Sequence, residues 1–510
     1  MQINNSSSCG SSTVVLEMPL RSHQPEESGK SPPVYEDISA GALPAPSTAT
    51  PQLQKWNSPR INMWRCLGTF YSFIILGAND GAYGALIPYL ETFYGVNYTV
   101  ISLIFLSPIV GYTMSALLNN YIHTIYGQRG VAWIMSTSHL CAYTIICVHP
   151  PYPVLVIVFI LAGFGNGLGD SGWWAKVTES SGVKNADYVY RNAWIGDMAN
   201  PNEVLGFLHG FYGLGAALAP LIATTLVTQA GWRWYEFYYL MVGAAFIEVI
   251  VLVGTFWKAD GRAYNAEHPQ TADLDTSESS TPTTSDNAVA ASQVDKKQSI
   301  FSRLNPRGKR AKGKSKTLEA VKQRVTLIAS VFLLIYVGVE VSVGGWIVTF
   351  MWRVRKGSPF ASGLTSMGFW LGIAVGRLVL GFVTARLFRS EKHAVAVYLL
   401  CSVALQLMFW LIPNFVVSAV MVGLLGFFLG PLFPAAIVAL TKLLPKKLHV
   451  PAVGFAAAFG ASGACVLPFA VGAIANAKGV KVLQPIILAA LVLCLAVWLL
   501  IPKLPKQRMA

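Results

Sequence analysis

Charge is what this sequence has least of. Of its 510 residues only 12% are Asp, Glu, Lys or Arg, while 54% are hydrophobic. Soluble domains carry about 25% charged residues, so this composition excludes an ordinary soluble enzyme and points to a chain solvated by lipid. Cysteine is scarce too: of seven, Cys66, Cys141, Cys147, Cys401, Cys465 and Cys494 lie in or beside apolar segments. Neither a disulfide framework nor paired metal-ligand spacing is visible, so neither metal nor cofactor is expected. A GxxxxGK[ST] loop is missing, which argues against a primary ATP-driven pump. A short basic-then-apolar leader is also missing, and the first apolar segment is expected to serve as the targeting signal. The formal net charge of +14 is unevenly placed. With most of the chain in apolar runs, nucleic acid is not an expected partner.

What remains is a regular alternation of apolar runs and short polar breaks. Residues 1–63 are rich in Ser, Pro and Thr and read as a disordered cytoplasmic tail. Six apolar segments follow at 64–90, 98–120, 130–149, 152–175, 203–229 and 236–257, each near the ~20 residues that cross a bilayer. They form an N-terminal half, 64–257. Residues 258–323 form a central loop, first acidic (TADLDTSESSTPTTSD) and then basic from Lys296 to Lys322. Six further segments at 324–352, 361–386, 394–412, 415–440, 448–477 and 481–502 form a C-terminal half, 324–502, before a short tail, 503–510. The expected fold is an all-α polytopic membrane protein: twelve transmembrane helices in two pseudo-symmetric six-helix halves.

Lys and Arg beside the spans set the orientation. One side receives Arg129, Lys176, Lys184, Arg191, Arg386, Arg389, Lys392, Lys442, Lys446 and Lys447, with a cluster from Arg303 to Arg324. The other receives Arg233, Arg353, Arg355, Lys356, Lys478 and Lys481. Both termini are therefore expected in the cytoplasm. The plasma membrane is the expected location, with a vacuolar or other internal membrane as the alternative, and the chain is expected to act as a monomer. The basic half of the central loop marks the inner side, and could also attract anionic lipid at about 1 kcal/mol per charge. Asn97-Tyr98-Thr99 is a glycosylation sequon on the outer side, but it abuts the second span, which argues against modification. Sequons at Asn4 and Asn5 fall on the cytoplasmic side and should be silent.

Two patterns recur. Asp80-x3-Gly84 in the first span returns 260 residues later as Glu340-x3-Gly344 in the seventh. Gly215-x4-Pro220 in the fifth span returns as Gly463-x4-Pro468 in the eleventh, 248 residues on. Together they favour a 6+6 duplication, which places a substrate site between the halves near the midplane, at helices weakened by Gly or Pro.

The polar residues inside the spans are the candidate site. Asn79, Asp80, Gly81, Gly84 and Pro88 give the first span a carboxylate and a weakened backbone, with Asp80, Gly84 and Pro88 on one face. A carboxylate at membrane depth is expensive, so Asp80 reads as a protonatable site that exchanges a proton during transport. The alternative is an Asp held by neighbouring donors to fix packing. In the seventh span Glu340 repeats the logic, the Gly344-Gly345 pair could unwind the helix, and Trp346 could stack on a substrate ring or simply pack. The fourth span reads GFGNGLGDSGWW, with Asn166, Asp170 and Trp173 or Trp174 at one-face spacing. An amide, a carboxylate and an aromatic plane suit a polyhydroxylated ligand, although tryptophans near a span end are also expected in the aromatic belt. In LHGFYGLGAALAP of the fifth span, His209 and Tyr212 could line the cavity, His209 as a proton relay or a structural residue. Gly210, Gly213 and Gly215 read as close-packing positions. Glu248 and His139 rank lower, because the sixth and third spans usually lie peripherally. Arg377 in the eighth span needs a counter-charge, expected from a carboxylate of the C-terminal half. It would bind an anionic substrate group or lock two helices.

Twelve spans in two halves around a long central loop resemble the major facilitator superfamily. The stretch Gly111 to Gly130 (GYTMSALLNNYIHTIYGQRG) is similar to that family's motif between spans two and three. It keeps Gly111 and Gly127-Gln128-Arg129 but has Asn119 and Asn120 where an acid is usual. GANDGAYG, GFGNGLGD and LHGFYGLGAALAP resemble the fucose-permease-like branch, especially its fungal members. That resemblance implies that acids of spans one and four, here Asp80 and Asp170, serve proton coupling and sugar contact; Glu340 and His209 depart from the bacterial pattern. The expected function is a proton-coupled carrier of a small organic solute, sugar-like or a metabolite, working by alternating access. The alternatives are an efflux pump exporting a secondary metabolite or toxin by proton antiport, and a non-transporting nutrient sensor.

Overall fold

In lipid every backbone N–H and C=O must find its partner within the protein, which favours helices throughout. A computed structural model of the chain describes residues 55–174, 201–267, 316–388, 390–445 and 448–504, all within the unit Leu53–Ala510. Among the described residues an isolated bridge, Lys55 to Ser58, is the extent of β pairing. The tail to residue 54, both N-terminal sequons and most of the central loop, with its expected lipid-binding charge, lie outside the described residues. So do Lys176, Lys184, Arg191, Arg389, Lys446 and Lys447.

Helix α1 (Arg60–Tyr94) runs through Pro88 and ends at Gly95, whose left-handed φ of 61° returns its N–H to the Glu91 carbonyl. Two short turns, α2 (Tyr98–Ile101) and α3 (Leu103–Leu106), lead into α4 (Pro108–Cys147). The exposed Asn97 caps α2 by accepting from Val100 N at 2.9 Å. Helix α5 (Tyr152–Gly169) passes into a π-helical turn, Asp170–Trp174. Then come α6 (Pro201–Thr228), α7 (Phe237–Phe256) and the short α8 (Gly261–Glu267). The second half contains α9 (Lys316–Val321), α10 (Arg324–Arg353), α11 (Pro359–Leu387), α12 (Glu391–Leu411), α13 (Phe415–Leu429), α14 (Leu432–Leu443), α15 (His449–Lys478) and α16 (Leu483–Leu499).

Three expectations change here. The region read as a tail to residue 63 already turns helical at Arg60, and both described ends of the central loop are helical, as α8 and α9. Among the described residues ten stretches, not twelve, are long and apolar enough to cross a membrane. One of the ten, Tyr98–Cys147, is 50 residues long and is broken at Gly127, where φ 66° and ψ −163° leave the helical region. At 1.5 Å per residue an unbroken helix of that length would far exceed a bilayer's ~30 Å core. The reading of Gly344-Gly345 as an unwinding point also changes, because α10 continues through both.

Gly127 needs to be glycine for a second reason: a Cβ there would collide with the backbone of Ala259 and Asp260. The break is held against the end of α7 by Arg129 N donating to Ala259 O at 2.9 Å, and by the Arg129 guanidinium, which donates to Trp257 O at 3.3 Å and lies over its ring. Asp260 then caps α8, accepting from Arg262 N at 3.1 Å and Ala263 N at 3.0 Å.

The two halves repeat each other's packing. α1 lies along α6 as α10 lies along α15. A Cβ on Gly215 would collide with the Ile74 carbonyl, and one on Gly463 with the Leu334 carbonyl. Ile74 and Leu334 each stand six residues before the acid of their span. The halves themselves meet through α1 with α10, α6 with α11, and α2 and α3 with α15. At the centre of that contact a Cβ on Gly84 would strike the Gly344 carbonyl, so the glycines of the two acid-x3-Gly patterns touch each other. Gly213 packs on Ala374, and no described atom lies within 4 Å of a Cβ on Gly210.

Contact between the halves is concentrated toward one face, that of Gly95 and Gly357. There Glu91 pairs with Arg353 at 3.4 Å, Tyr89 faces Trp352 at 5.4 Å, and Gly345, Gly363 and Gly472 press on Phe105, Thr224 and Ser102. Toward the opposite face, no described atom lies within 4 Å of a Cβ on Gly206, Gly381 or Gly454. Arg355, on the first face, is spent within its own half: it donates to Ser418 Oγ at 3.0 Å and to the terminal carbonyls of Phe409 and Trp410.

Two outcomes follow from this packing. Gly215→Ala and Gly463→Ala should each cost on the order of 1–3 kcal/mol by overpacking, read as lower melting temperatures in detergent, with Gly254→Ala, where no described atom is near, close to neutral. The backbone donors of Ala263 and Arg262, the first the stronger influence, hold the Asp260 carboxyl below its usual range. Its contribution to α8 is therefore full above an unfolded value of about 3.9 and is lost as pH falls through the lowered folded value. Amide exchange at Arg262 and Ala263 should accelerate only under acid conditions, and in Asp260→Ala at all pH values.

Candidate functional site

Asp80 sits where three helices converge. Its Oδ1 accepts from Asn79 Nδ2 at 3.1 Å and Asn166 Nδ2 at 3.2 Å, and its Oδ2 accepts from the Tyr212 hydroxyl at 2.8 Å. The Asn79 amide also donates to Tyr83 OH at 2.7 Å, which fixes its direction. Tyr212 reaches Asp80 because α1 and α6 approach so closely: a Cβ on Gly77 would collide with the Tyr212 carbonyl and one on Gly81 with that of Ala216. Asp80 remains partly solvent-accessible in the interior, while Asn79 and Asn166 are buried. Among the described residues this carboxylate has three directed donors and no Lys or Arg partner, an arrangement open to either protonation state.

Behind Asn166 the contacts continue. Its Oδ1 lies 3.1 Å from His139 Nε2, His139 Nδ1 lies 3.0 Å from Glu248 Oε2, and Ser72 Oγ donates to Glu248 Oε1 at 2.6 Å. His139 and Glu248, ranked low on the sequence, are thus joined to Asp80 through a single amide. Their separation of 109 residues hid this; the available signal was two lone ionisable residues in otherwise apolar spans.

In the second half the acid has a cation. Arg377 Nη2 donates to Glu340 Oε1 at 2.9 Å, and Arg377 Nε donates to Gly430 O at 3.3 Å. Glu340 is buried; Arg377 keeps some access to the interior. Tyr212 feels Glu340 and Arg377 as well as Asp80, and His209, one turn away on α6, feels Arg377. Tyr212 is thus bonded to the acid of one half and within the electrostatic reach of the ion pair of the other. Asp170, partly accessible on the π turn, interacts electrostatically with Asp80 and Tyr112.

Of the two readings of Trp346, stacking on a ligand or packing, its surroundings fit packing. Trp346 has no accessible surface; its indole N–H donates to Pro468 O at 2.9 Å and its ring is wedged against Tyr98 and Phe105. It packs α10 on α15 and offers no face to a ligand. The turn beginning at Asp170 replaces i→i+4 with i→i+5 bonding and carries Trp173 and Trp174. Their side chains lie outside the described residues. Gly84, Gly344, Gly215 and Gly463 serve close approach of helices, with Pro220 and Pro468 inside α6 and α15.

The family model of the Major Facilitator Superfamily matches residues 69–390. This chain belongs to that superfamily. The match runs from α1 through α11, across both acid-bearing spans. A relative, "Bypass of stop codon protein 6" of Saccharomyces cerevisiae, is 26% identical over 443 residues, covering 85% of this chain and 81% of its own length. Superfamily members are secondary transporters of small solutes, which makes this chain an integral, multi-pass membrane transporter whose surroundings are a lipid bilayer.

The Glu340–Arg377 pair makes a distinct prediction. Arg377→Ala strands a buried carboxylate, a change of roughly 3–5 kcal/mol where one partner of a buried pair is lost. Glu340→Gln together with Arg377→Gln should recover much of that loss. A double-mutant cycle on thermal unfolding in detergent checks the coupling; additive losses would separate the two residues.

Proposed function

We propose that the protein is a proton-coupled carrier of a small, polar organic solute, with Asp80 as its proton-exchanging group. The observation that carries this is the bonding of Asp80: three neutral donors, no Lys or Arg partner among the described residues, and access to the interior between the halves. A carboxylate kept only for packing would be cheaper as an amide or paired, as Glu340 is with Arg377. When Asp80 takes a proton, its O–H can donate to Tyr212, whose own proton is then free to turn toward Glu340. Proton occupancy in one half would thus alter a hydrogen bond facing the other.

We place the substrate between the halves, near Asp80, Asp170, Tyr212, His209 and Arg377. Carboxylates, a phenol and spare guanidinium N–H groups favour a hydroxyl-rich compound over an apolar one. A sugar-like solute, as in the fucose-permease-like branch, fits that polarity. The twelve expected spans follow if Tyr98–Cys147 counts as two passes at Gly127 and α1 is added to the apolar set. With positively charged loops inside, the contacting face around Glu91 and Arg353 is the outer one, and the halves part toward the cytoplasm.

The test is uptake and counterflow of labelled sugars, polyols and organic acids in proteoliposomes, with and without a pH gradient. Asp80→Asn should abolish gradient-driven accumulation by tenfold or more while sparing solute exchange, and Tyr212→Phe should weaken accumulation in the same sense. Accumulation unchanged in Asp80→Asn would remove Asp80 from the coupling. The sign of the gradient that drives flux separates import from export, and binding without any flux would indicate a sensor.

A further inference from the structure

The third and sixth spans of the first half, the second limb of α4 and α7, are clamped by His139 and Glu248, both without accessible surface. The corresponding helices of the second half, α12 and α16, are clamped by two amides: Gln406 Nε2 donates to Gln484 Oε1 at 2.7 Å, equally buried. The fold therefore has a neutral solution to the same packing problem. An ionisable pair in lipid is costlier than an amide pair, and it can do one thing an amide pair cannot, which is to change its proton count.

Its hydrogen bonds define that count. Asn166 gives its Nδ2 to Asp80, so its Oδ1 faces His139 and Nε2 must carry a hydrogen. One further proton lies between Nδ1 and Glu248 Oε2, on either atom, and the pair is neutral overall. Facing titratable groups are few. Asp80 reaches His139 and Tyr71 reaches Glu248 from α1, Tyr143 lies on the pair's own helix, and Tyr238 of α7 stands beyond Tyr143. From α5 the pair meets Asn166, and from α1 it also meets Ser72.

We propose that the His139–Glu248 pair is a second proton-binding site, linked to Asp80 through the Asn166 amide. It rests on the proton-exchanging role assigned to Asp80. Two end states, equal in proton number, differ in where one proton sits and by a half-turn of the amide. Both arise by loss of one proton to solvent from the state in which Asp80 and Nε2 are both protonated, so their population is read against pH. In the first, Nε2 of His139 holds the proton and Asp80 is ionised. In the second, that N–H bond is broken, Asp80 carries the proton as O–H donating to Asn166 Oδ1, and Asn166 Nδ2 donates to the bared Nε2. The negative charge moves from Asp80 to the pair, where the Ser72 hydroxyl and the His139 Nδ1–H hold the Glu248 carboxylate. Both sites do not empty together, because two uncompensated negative charges would then share one buried volume.

Nitrogen NMR of the full chain, with ¹⁵N-labelled histidine and in lipid nanodiscs, tests this without a substrate. The His139 signals are assigned by their loss in His139→Gln. Their protonation pattern should change across a pH series, and the midpoint should move by on the order of one pH unit in Asp80→Asn. Asn166→Leu, which cuts the bridge and keeps both acids, should also move it and serves where Asp80→Asn does not fold. Signals constant across the range would make the pair a fixed clamp, and a midpoint unmoved by either variant would make it independent of Asp80; both overturn the proposal. Failure of the two readings is distinguishable: static His139 signals beside lost accumulation in Asp80→Asn overturn this inference alone, whereas unchanged accumulation overturns the coupling role itself.

Discussion

A carboxylate placed in lipid must find donors for its oxygens, and the arrangement of this protein's first half follows from that need at Asp80. The donors come from Asn79, Asn166 and Tyr212, on α1, α5 and α6. For the phenol to reach, α6 must lie almost backbone to backbone with α1. Gly77 and Gly81, three residues before the acid and one after it, remove the side chains that would prevent it. The small residues and the acid are one device. Asn166 in turn is oriented by His139, and His139 by Glu248, so the polar demand of one residue extends through five helices.

The two halves share a frame and differ in chemistry. Gly215 against Ile74 and Gly463 against Leu334 give the same helix approach, six residues before each acid. On that common frame the second half answers its acid with Arg377 and its buried clamp with two glutamines. Among the described residues the first half gives its acid neutral donors and builds its clamp from ionisable groups. Duplication supplied the scaffold; the difference between its copies is where proton chemistry can reside.

Much of the frame was legible in the sequence because lipid leaves few choices. Span ends at Thr228, Phe256, Arg353 and Leu411 fall within a residue or two of those read from apolar length. The recurring glycines marked the inter-helix contacts, though not that Gly84 and Gly344 meet each other. What was hidden depended on distance or on phase. His139 and Glu248 are far apart in the chain, and nothing periodic announces that they touch. The π turn at Asp170 shifts a register that α-helical spacing takes for granted. The sequence left Trp346 between stacking on a ligand and packing, and the acceptor that Pro468 gives its indole lies 122 residues away.

The pairing of Glu340 with Arg377 also fixes how the carrier answers to electrical potential. A membrane voltage does work of about 2.3 kcal/mol per elementary charge per 100 mV. The ion pair contributes no net charge to that work, which leaves Asp80, Asp170 and the His139–Glu248 pair as the voltage-bearing groups among the described interior residues. A protonated Asp80 would cross the field at one charge less than an ionised one. The arginine that seals the second half thereby assigns the electrical cost of each half-cycle to the first.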